Sequence, residues 1–262
     1  MPLPLKVTVC QMHNEVEHFA QDWEHLVAHV RSEQSRVVLL PEMPFSPWFA
    51  TTPHFDLATW QAAVQTHEQW LQRLPELAPA HVLSSRPVNR NGRRLNEGFL
   101  WRSDTGYHPT HLKYYLPNEE GMWEASWYQH GEGDFTPIES QAARIGMLIC
   151  SELWALEQAR AYGHLRTHLL VTPRMTQGAT MEKWLVGGRA AAILAGAFSL
   201  SSNRVSTPGA PEDFGGRGWV IDPDGEVLAV TSQQQPSVTV EINLQRAEQA
   251  KQTYPRYMFS AR

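Results

Sequence analysis

The stretch RIGMLICSELW, residues 144–154, ends an apolar run on a cysteine. Six of the seven residues from Arg144 to Cys150 suit a strand that is covered on both faces. The next four residues, Ser151 to Trp154, bring a hydroxyl, a carboxylate and a large aromatic ring. A free cysteine is more often an inert buried thiol. In α/β proteins, however, reactive groups follow the carboxyl ends of buried strands, so Cys150 is a candidate for chemistry.

Strand-like and helix-like segments alternate along the chain. The predicted strands are 5–12, 36–40, 81–88, 95–102, 144–150, 168–173, two around the DPDG turn within 217–230, and 237–244. The predicted helices are 16–33, 58–74, 156–167 and 181–200. We find no internal repeat, linker or low-complexity segment. The pattern predicts a single α/β domain over residues 1–262, with helices covering both faces of its sheets and residues 245–262 as a C-terminal tail.

The composition argues against several classes of partner. A net charge of -5 without a basic stripe predicts no nucleic-acid binding. The first residues lack the apolar run of a signal peptide and no later run has the length of a membrane span, so no membrane partner is expected. Twelve scattered histidines show no metal-ligand spacing, which predicts no metal. Only Cys10 and Cys150 are present, so no disulfide framework is implied and a cytoplasmic location fits.

Three predicted strand ends carry reactive side chains, Glu42, Lys113 and Cys150. Taken alone, the first two are typical of solvated charges and the third of an inert thiol. Together they form a chemical unit, because a thiol is a poor nucleophile until it loses its proton. A nearby ammonium stabilises the thiolate, a carboxylate can accept the proton, and free backbone N–H groups at a helix start can hold an oxyanion.

Several segments around these residues resemble the nitrilase superfamily, the carbon–nitrogen hydrolases, whose members use a Glu-Lys-Cys triad. VVLLPEMPF is similar to the family's glutamate segment and supplies Glu42. HLKYYLPNEEGMWEASWYQHGEGDF resembles its lysine segment, with Lys113 and a second glutamate, Glu124, eleven residues later. RIGMLICSELWALEQAR resembles the nucleophile segment and supplies Cys150. With MEKWLVGGRAAAILAGAFSLSSNRV and GRGWVIDPDGEVLA, the resemblance extends from about Leu5 to Leu244.

This resemblance implies a four-layer α-β-β-α sandwich and a specific division of roles. Cys150 would attack an amide carbonyl or nitrile carbon, with Glu42 as general base. Lys113 and the backbone N–H of Ser151 would stabilise the oxyanion, and Glu124 would orient Lys113 or the substrate. A thioester would form and be hydrolysed, with no metal and no organic cofactor required.

The positions after the nucleophile depart from several branches of the family. Many amidases carry Asp where this chain has Glu152, and Ser151 replaces the Trp that follows the cysteine of nitrilases proper. Leu153 and Trp154 stand where N-carbamoyl-D-amino-acid hydrolases use arginines to hold a carboxylate. The resulting hypothesis is an amidase for a small amide or N-carbamoyl compound. Nitrile hydrolysis by the same triad and a non-catalytic scaffold of the same fold are the alternatives.

Two further features concern substrate binding. Arg174 lies where the family strand after the nucleophile reaches the pocket, and could either grip a substrate carboxylate or pair with a neighbouring acid. Trp123 and Trp154, together with Trp48 and Trp127, could line an aromatic pocket or pack between layers.

The resemblance also implies assembly. Family members commonly pair through the helices near the nucleophile segment, with the C-terminal tail reaching across to the partner. The tail of this chain, QRAEQAKQTYPRYMFSAR, has four large apolar or aromatic groups near its end, Tyr254, Tyr257, Met258 and Phe259. Because an unanchored terminus frays and leaves such groups in water, we predict a homodimer or a higher homo-oligomer.

Overall fold

The frame of the protein consists of β-strands, seen in a computed structural model that describes residues 4–259. Within these residues the strands are β1 Leu5–His13, β2 Val37–Leu39, β3 His81–Arg90, β4 Arg93–Arg102, β5 Gly106–Leu112, β6 Ile138–Glu139, β7 Arg144–Met147, β8 Leu169–Pro173, β9 Phe198–Val205, β10 Trp219–Ile221, β11 Val227–Val230 and β12 Ser237–Ile242. The α-helices are α1 Val16–Glu33, α2 Leu57–Leu71, α3 Glu124–Trp127, α4 Leu156–His164, α5 Met181–Ala195 and α6 Leu244–Ala250. Short 3₁₀ helices cover Leu74–Leu77, Cys150–Trp154, Gly178–Thr180 and Arg256–Phe259.

The strands form two sheets that are joined at one place. The first sheet has the order β5-β4-β3-β2-β1-β12, and the second has the order β6-β7-β8-β9-β10-β11. The end of β1 pairs in parallel with the end of β9, Gln11–His13 against Asn203–Val205, and this short ladder links the sheets. Parallel pairing of β1, β2 and β3 in one sheet, and of β7, β8 and β9 in the other, sets the carboxyl ends of the strands at one edge.

Alternation along the strands creates four layers. Val37 and Leu39 of β2 face the second sheet, whereas Val38 packs in the cluster formed with α1 and α2. In β8, Leu169 faces the first sheet and Leu170 packs in the cluster formed with α4 and α5. Since successive side chains of a strand point to opposite faces, each central strand needs apolar residues on both. The predicted four-layer α-β-β-α sandwich is thereby confirmed.

Some predicted boundaries are wrong for local reasons. The helix predicted over 181–200 ends at Ala195, because Gly196 takes a left-handed conformation with φ +58° and its N–H bonds back to the last turn. Phe198–Leu200 belongs instead to β9. The strand predicted over 144–150 ends its ladder at Met147, and the helix predicted over 58–74 ends at Leu71.

The predicted tail forms α6 and then folds back on its own chain. Arg256 is buried and donates from Nε to the Ala250 carbonyl at 2.7 Å and from Nη2 to Asp224 at 2.9 Å. Three of the four apolar groups noted in the tail are largely exposed in the isolated chain, Tyr254, Tyr257 and Met258. The fourth, the side chain of Phe259, lies outside the described part of the structure, as do residues 260–262. Between residues 4 and 259, no helix combines the length and the apolarity needed to cross a membrane.

Candidate active site

Glu42 lies in a tight loop after β2 that is held by hydrogen bonds to its backbone. The Glu42 N–H donates to the Arg174 carbonyl at 3.2 Å, and Met43 adopts a left-handed φ of +43°. The buried guanidinium of Arg204 donates to the carbonyls of Glu42 at 3.2 Å and Ser46 at 2.7 Å, and also to that of Met43. These bonds fix a loop that would otherwise leave its carbonyl groups unsatisfied in the interior.

Lys113 joins the two predicted glutamates in one buried cluster. Its Nζ donates to Glu42 Oε1 at 2.8 Å and lies 2.8 Å from Oε1 and 2.7 Å from Oε2 of Glu124. Asn96 Nδ2 donates to the same Glu42 Oε1 at 2.7 Å, and the Tyr128 hydroxyl donates to Glu124 Oε2 at 2.5 Å. All five side chains are buried. Within the described residues the second oxygen of Glu42, Oε2, is buried without a hydrogen-bond partner, so it is the oxygen available to accept a proton.

The ammonium and the two carboxylates of this cluster change one another's pKa values. Burial alone would lower the pKa of Lys113, but Glu124 and Glu42 outweigh it and hold the pKa above its ordinary value, so the amine stays an ammonium. Burial raises the pKa of Glu124 to about 7, opposed by Lys113 and assisted by Glu42. Burial, with Glu124 next to the hydroxyl, likewise raises the pKa of Tyr128, which therefore remains a donor.

Cys150 starts the 3₁₀ helix after β7 and has a left-handed φ of +49°. For a residue with a side chain, such backbone strain costs about 1–3 kcal/mol and is typical of functional sites. The sulfur is buried and lies 3.8 Å from the Met175 carbonyl, toward which the S–H points. Burial raises the pKa of Cys150 well above its ordinary value, and Glu42 adds to this while Lys113 opposes it. The resting group is therefore a thiol.

Glu152 joins the turn at Cys150 to the end of β5 next to Lys113. Its carboxylate accepts the N–H of Ile149 and the N–H of Tyr114, each at 2.7 Å, and His111 Nε2 donates to it at 2.9 Å. The other ring nitrogen of His111 donates to the Asp134 carbonyl at 2.9 Å, so both nitrogens carry protons. Burial would lower the pKa of His111, but Glu152 raises it above the ordinary value, in agreement with a charged ring.

We expect Glu152→Gln to lower the free energy of unfolding by about 2–3 kcal/mol, because an amide cannot accept both backbone N–H groups and the imidazolium. Urea denaturation measures the difference. Glu157→Gln, five positions later on the exposed face of α4, is the control and should change stability by less than about 0.5 kcal/mol. Equal losses in the two variants would contradict the role given to Glu152.

The predicted substrate-binding residues differ in their exposure and in the elements they contact. Ser151 sits in the first turn of the 3₁₀ helix, where backbone N–H groups lack intrahelical acceptors, and its hydroxyl donates to the Tyr115 carbonyl at 2.6 Å. Trp154 is 47% exposed, with its ring 5.2 Å from that of Trp184 on α5. Trp123 is half-buried at the start of α3. It packs against an aromatic cluster next to the Met175 segment, made up mainly of Trp48, Phe49, Trp60, Trp127, Tyr128 and Phe214.

Arg174 is fully buried and directs its guanidinium toward α5. It lies over the ring of Trp219, 4.0 Å from the centroid, and 5.8 Å from the ring of Trp184. Among the described residues no carboxylate forms an ion pair with it, so the acid partner considered from the sequence is not found.

Sequence reasoning missed the groups that orient the predicted ones. Asn96 sits in β4 between Leu95 and Glu97, and the strand also carries arginines, so the sequence carries no clear signal that this amide serves a buried partner. Tyr128 stands four residues after Glu124, the spacing at which side chains on a helix meet. No comparable sequence signal pairs His111 with Glu152, because they are 41 residues apart. Within the described residues, no three His, Cys, Asp or Glu side chains are grouped so as to hold a metal ion.

Comparison with known proteins agrees with this architecture. The sequence pattern of the carbon-nitrogen hydrolase family matches residues 6–252. The chain therefore belongs to the carbon–nitrogen hydrolase family. A solved structure from Saccharomyces cerevisiae, described as a member of branch 10 of the nitrilase superfamily, superposes with a TM-score of 0.82 at 18% identity, covering 99% of this chain and 96% of that one. At that identity the likeness concerns the fold.

Two curated proteins resemble this chain in sequence. A chloroplastic omega-amidase of Arabidopsis thaliana is 26% identical over 242 residues, which is 87% of this chain and 64% of that protein. The chain thus spans less than two thirds of that relative's length. A citrullinase of Francisella tularensis is 24% identical over 249 residues, covering 86% of this chain and 84% of that protein. Family membership supports hydrolysis of a carbon–nitrogen bond as the general reaction.

Proposed function

We propose that the protein hydrolyses a small amide or N-carbamoyl compound through a thioester on Cys150, releasing ammonia or an amine. The observation that carries the proposal is the buried arrangement of Glu42, Lys113 and Glu124, with one free carboxylate oxygen, beside a strained cysteine. A scaffold has no use for three buried ionisable groups in hydrogen-bond contact, because burying each one costs free energy.

In the first half of the reaction, Glu42 Oε2 takes the thiol proton as the Cys150 sulfur attacks the carbonyl carbon. The carbonyl electrons move onto oxygen, and the oxyanion is stabilised by the Lys113 ammonium and the Ser151 N–H. The carbon–nitrogen bond then breaks, and the leaving nitrogen takes the proton from Glu42. The products are a thioester and a free amine or ammonia.

In the second half, water attacks the thioester carbon and Glu42 accepts one of its protons. The carbon–sulfur bond breaks as the tetrahedral intermediate collapses. The sulfur recovers its proton from Glu42, and the carboxylic or carbamic acid leaves. The thiol resting state that the raised pKa of Cys150 indicates is thereby restored.

The relatives suggest which substrates to test first. One is named an omega-amidase and the other a citrullinase, so a terminal amide and a carbamoylated amine are the two natural classes. We would incubate the protein with ω-amides, N-carbamoyl amines, simple aliphatic amides and the matched nitriles, and measure ammonia. Turnover of an amide or N-carbamoyl compound, with an acyl mass on the Cys150 peptide, is the expected result. Turnover of nitriles alone would favour the alternative reaction.

The alternative that the protein is a non-catalytic scaffold can be tested without a substrate. Iodoacetamide should label Cys150 in the folded protein faster than it labels either cysteine after denaturation, because Glu42 Oε2 can accept the proton as the sulfur attacks the reagent, even though the pKa of the resting thiol is raised. A protein that turns over none of the compounds and labels no faster than its denatured form would contradict the proposed function.

A cytoplasmic location remains a prediction.

We also propose that the protein is a homodimer or higher homo-oligomer in which the tail contributes to the contact. Tyr254, Tyr257 and Met258 are 71%, 55% and 57% exposed in the isolated chain, and a partner subunit would remove them from water. Truncation after Leu244 should therefore lower the mass measured by light scattering and not only the melting temperature. A full-length protein that is monomeric at micromolar concentration would rule this out.

A further inference from the structure

The guanidinium of Arg174 is held in one orientation by hydrogen bonds from each of its three nitrogens. Nε donates to Ser201 Oγ at 2.6 Å, Nη1 to Thr176 Oγ1 at 2.7 Å and Nη2 to the Arg217 carbonyl at 3.0 Å. The guanidinium also stacks on the ring of Trp219, which covers one of its two faces. The side chain is fully buried, and each of its three guanidinium nitrogens already donates to a protein oxygen.

The same residue lies between the two catalytic loops. Its backbone carbonyl accepts the Glu42 N–H at 3.2 Å, and its backbone N–H donates to the Ser202 carbonyl at 2.8 Å. Two residues on, Thr176 is bound by the guanidinium through its hydroxyl and donates its N–H to Asn203 at 2.9 Å. Met175 lies between Arg174 and Thr176, so the residues on both sides of it are held by hydrogen bonds.

Met175 supplies the carbonyl toward which the Cys150 S–H points, at 3.8 Å. A shift of this segment would move that carbonyl relative to the sulfur, and would also move the backbone acceptor of the Glu42 loop. Arg174 is thus connected to both the nucleophile and the base by short chains of contacts. Displacements of about 1 Å in such a site can cost about 10²-fold in rate.

We propose that Arg174 is a positioning residue for the reaction proposed above: by clamping Thr176 and Ser201, it fixes the Met175 carbonyl at Cys150 and the backbone of Glu42. In this role its guanidinium binds protein groups and not a substrate carboxylate. This assignment rests on the proposed function, and it differs from the sequence-based hypothesis in which Arg174 grips a substrate carboxylate.

The test compares Arg174→Met and Arg174→Lys with Arg86→Met as a matched control. Arg86 also stacks on an aromatic ring, 4.7 Å from the centroid of Tyr107, and its Nε donates to the hydroxyl of that residue at 2.8 Å. It lies on β3, however, outside the catalytic cluster. Each folded variant is assayed with a neutral aliphatic amide and with an ω-amide that carries a carboxylate.

We expect Arg174→Met to lower kcat by about 10- to 100-fold for both substrates, by the same factor, with KM within about twofold of wild type. Arg174→Lys should not restore kcat, since one ammonium cannot make the three-bond fork. Arg86→Met should keep kcat. A rise in KM confined to the carboxylate substrate would overturn the proposal, as would unchanged kcat in Arg174→Met or full rescue by lysine.

A second measurement does not depend on having the right substrate. Alkylation of Cys150 by iodoacetamide, followed by peptide mass, should slow at least about fivefold in folded Arg174→Met and stay at the wild-type rate in Arg86→Met. Wild-type protein that alkylates rapidly but hydrolyses none of the compounds would count against the proposed substrates and leave the positioning role standing. Equal alkylation rates in wild type and Arg174→Met would overturn that role.

Discussion

Replacing Cys150 with serine should abolish turnover, with a loss of about 10⁴-fold or more, while the protein keeps its fold. A hydroxyl is far less acidic than a thiol, and the cluster around Cys150 already makes ionisation hard, since burial and Glu42 raise the pKa of the thiol itself. The charge of Lys113 is shared between two carboxylates and cannot compensate. Ammonia release and far-UV circular dichroism, measured on the same preparation, check both parts of the expectation.

Cys10→Ser is the matched control. Cys10 is buried in β1, where burial raises the pKa of the thiol to about 12 and its S–H faces the Leu39 carbonyl at 3.5 Å. It takes part in no step of the proposed reaction, so turnover should remain while stability falls somewhat. Near wild-type turnover in Cys150→Ser would show that the proposed mechanism is wrong.

The second large effect is expected for Glu42→Gln, with a loss of about 10²–10⁴-fold in rate. The amide oxygen can still accept from Asn96 and Lys113, as Oε1 does in the native protein at 2.7 and 2.8 Å. The NH₂ group that replaces Oε2 cannot accept a proton, so the orientation is kept and the base is lost. The effect should therefore fall on kcat with every substrate.

Glu124→Gln separates the two glutamates. Glu124 binds Lys113 and accepts from Tyr128, so its loss should act through the position of the ammonium and vary with the substrate. Steady-state constants for a primary amide and an N-carbamoyl amine would be compared in both variants. Equal, substrate-independent losses in Glu42→Gln and Glu124→Gln would contradict the separate roles proposed for them.

The layers of the fold could be predicted from the apolar composition of the central strands. Val37, Val38 and Leu39 are all apolar, which only a strand covered on both faces requires, and α1 was predicted with the bounds it has. The overextended helix shows the limit. After Arg189 the sequence as far as Leu200 is apolar apart from Gly196 and Ser199, so composition alone did not reveal that Gly196 ends the helix and a strand begins. The helix end is local to Gly196, whereas the strand after it depends on pairing with β8, a contact distant in sequence.

The structure brings Glu42, Lys113 and Glu124 into hydrogen-bond contact because each follows or lies near a strand end at the same edge of the frame. Their roles remain predictions that the variants above test. Where Arg174 and Trp154 point could not be predicted from the sequence. Arg174 lies just past β8, and its direction is set by contacts with Thr176, Ser201 and Trp219. That of Trp154 is set by packing against Trp184 of α5, and contacts so distant in sequence cannot be read from the residue type alone.

The division of the frame into two sheets has a consequence for how the enzyme can change. Glu42 and Lys113 follow strands of the first sheet, whereas Cys150 and Met175 follow strands of the second. The separation of the Glu42 carboxylate and the Cys150 sulfur therefore depends on the thickness of the apolar layer between the sheets, which includes Val9, Leu39, Leu83, Ile145, Val171 and Leu200. Face-to-face sheets lie about 10 Å apart, a spacing that follows the volume of the side chains between them. A substitution in that layer could leave the protein folded and still change the distance between these two side chains. The apolar layer therefore sets the geometry of the site as well as stabilising the fold.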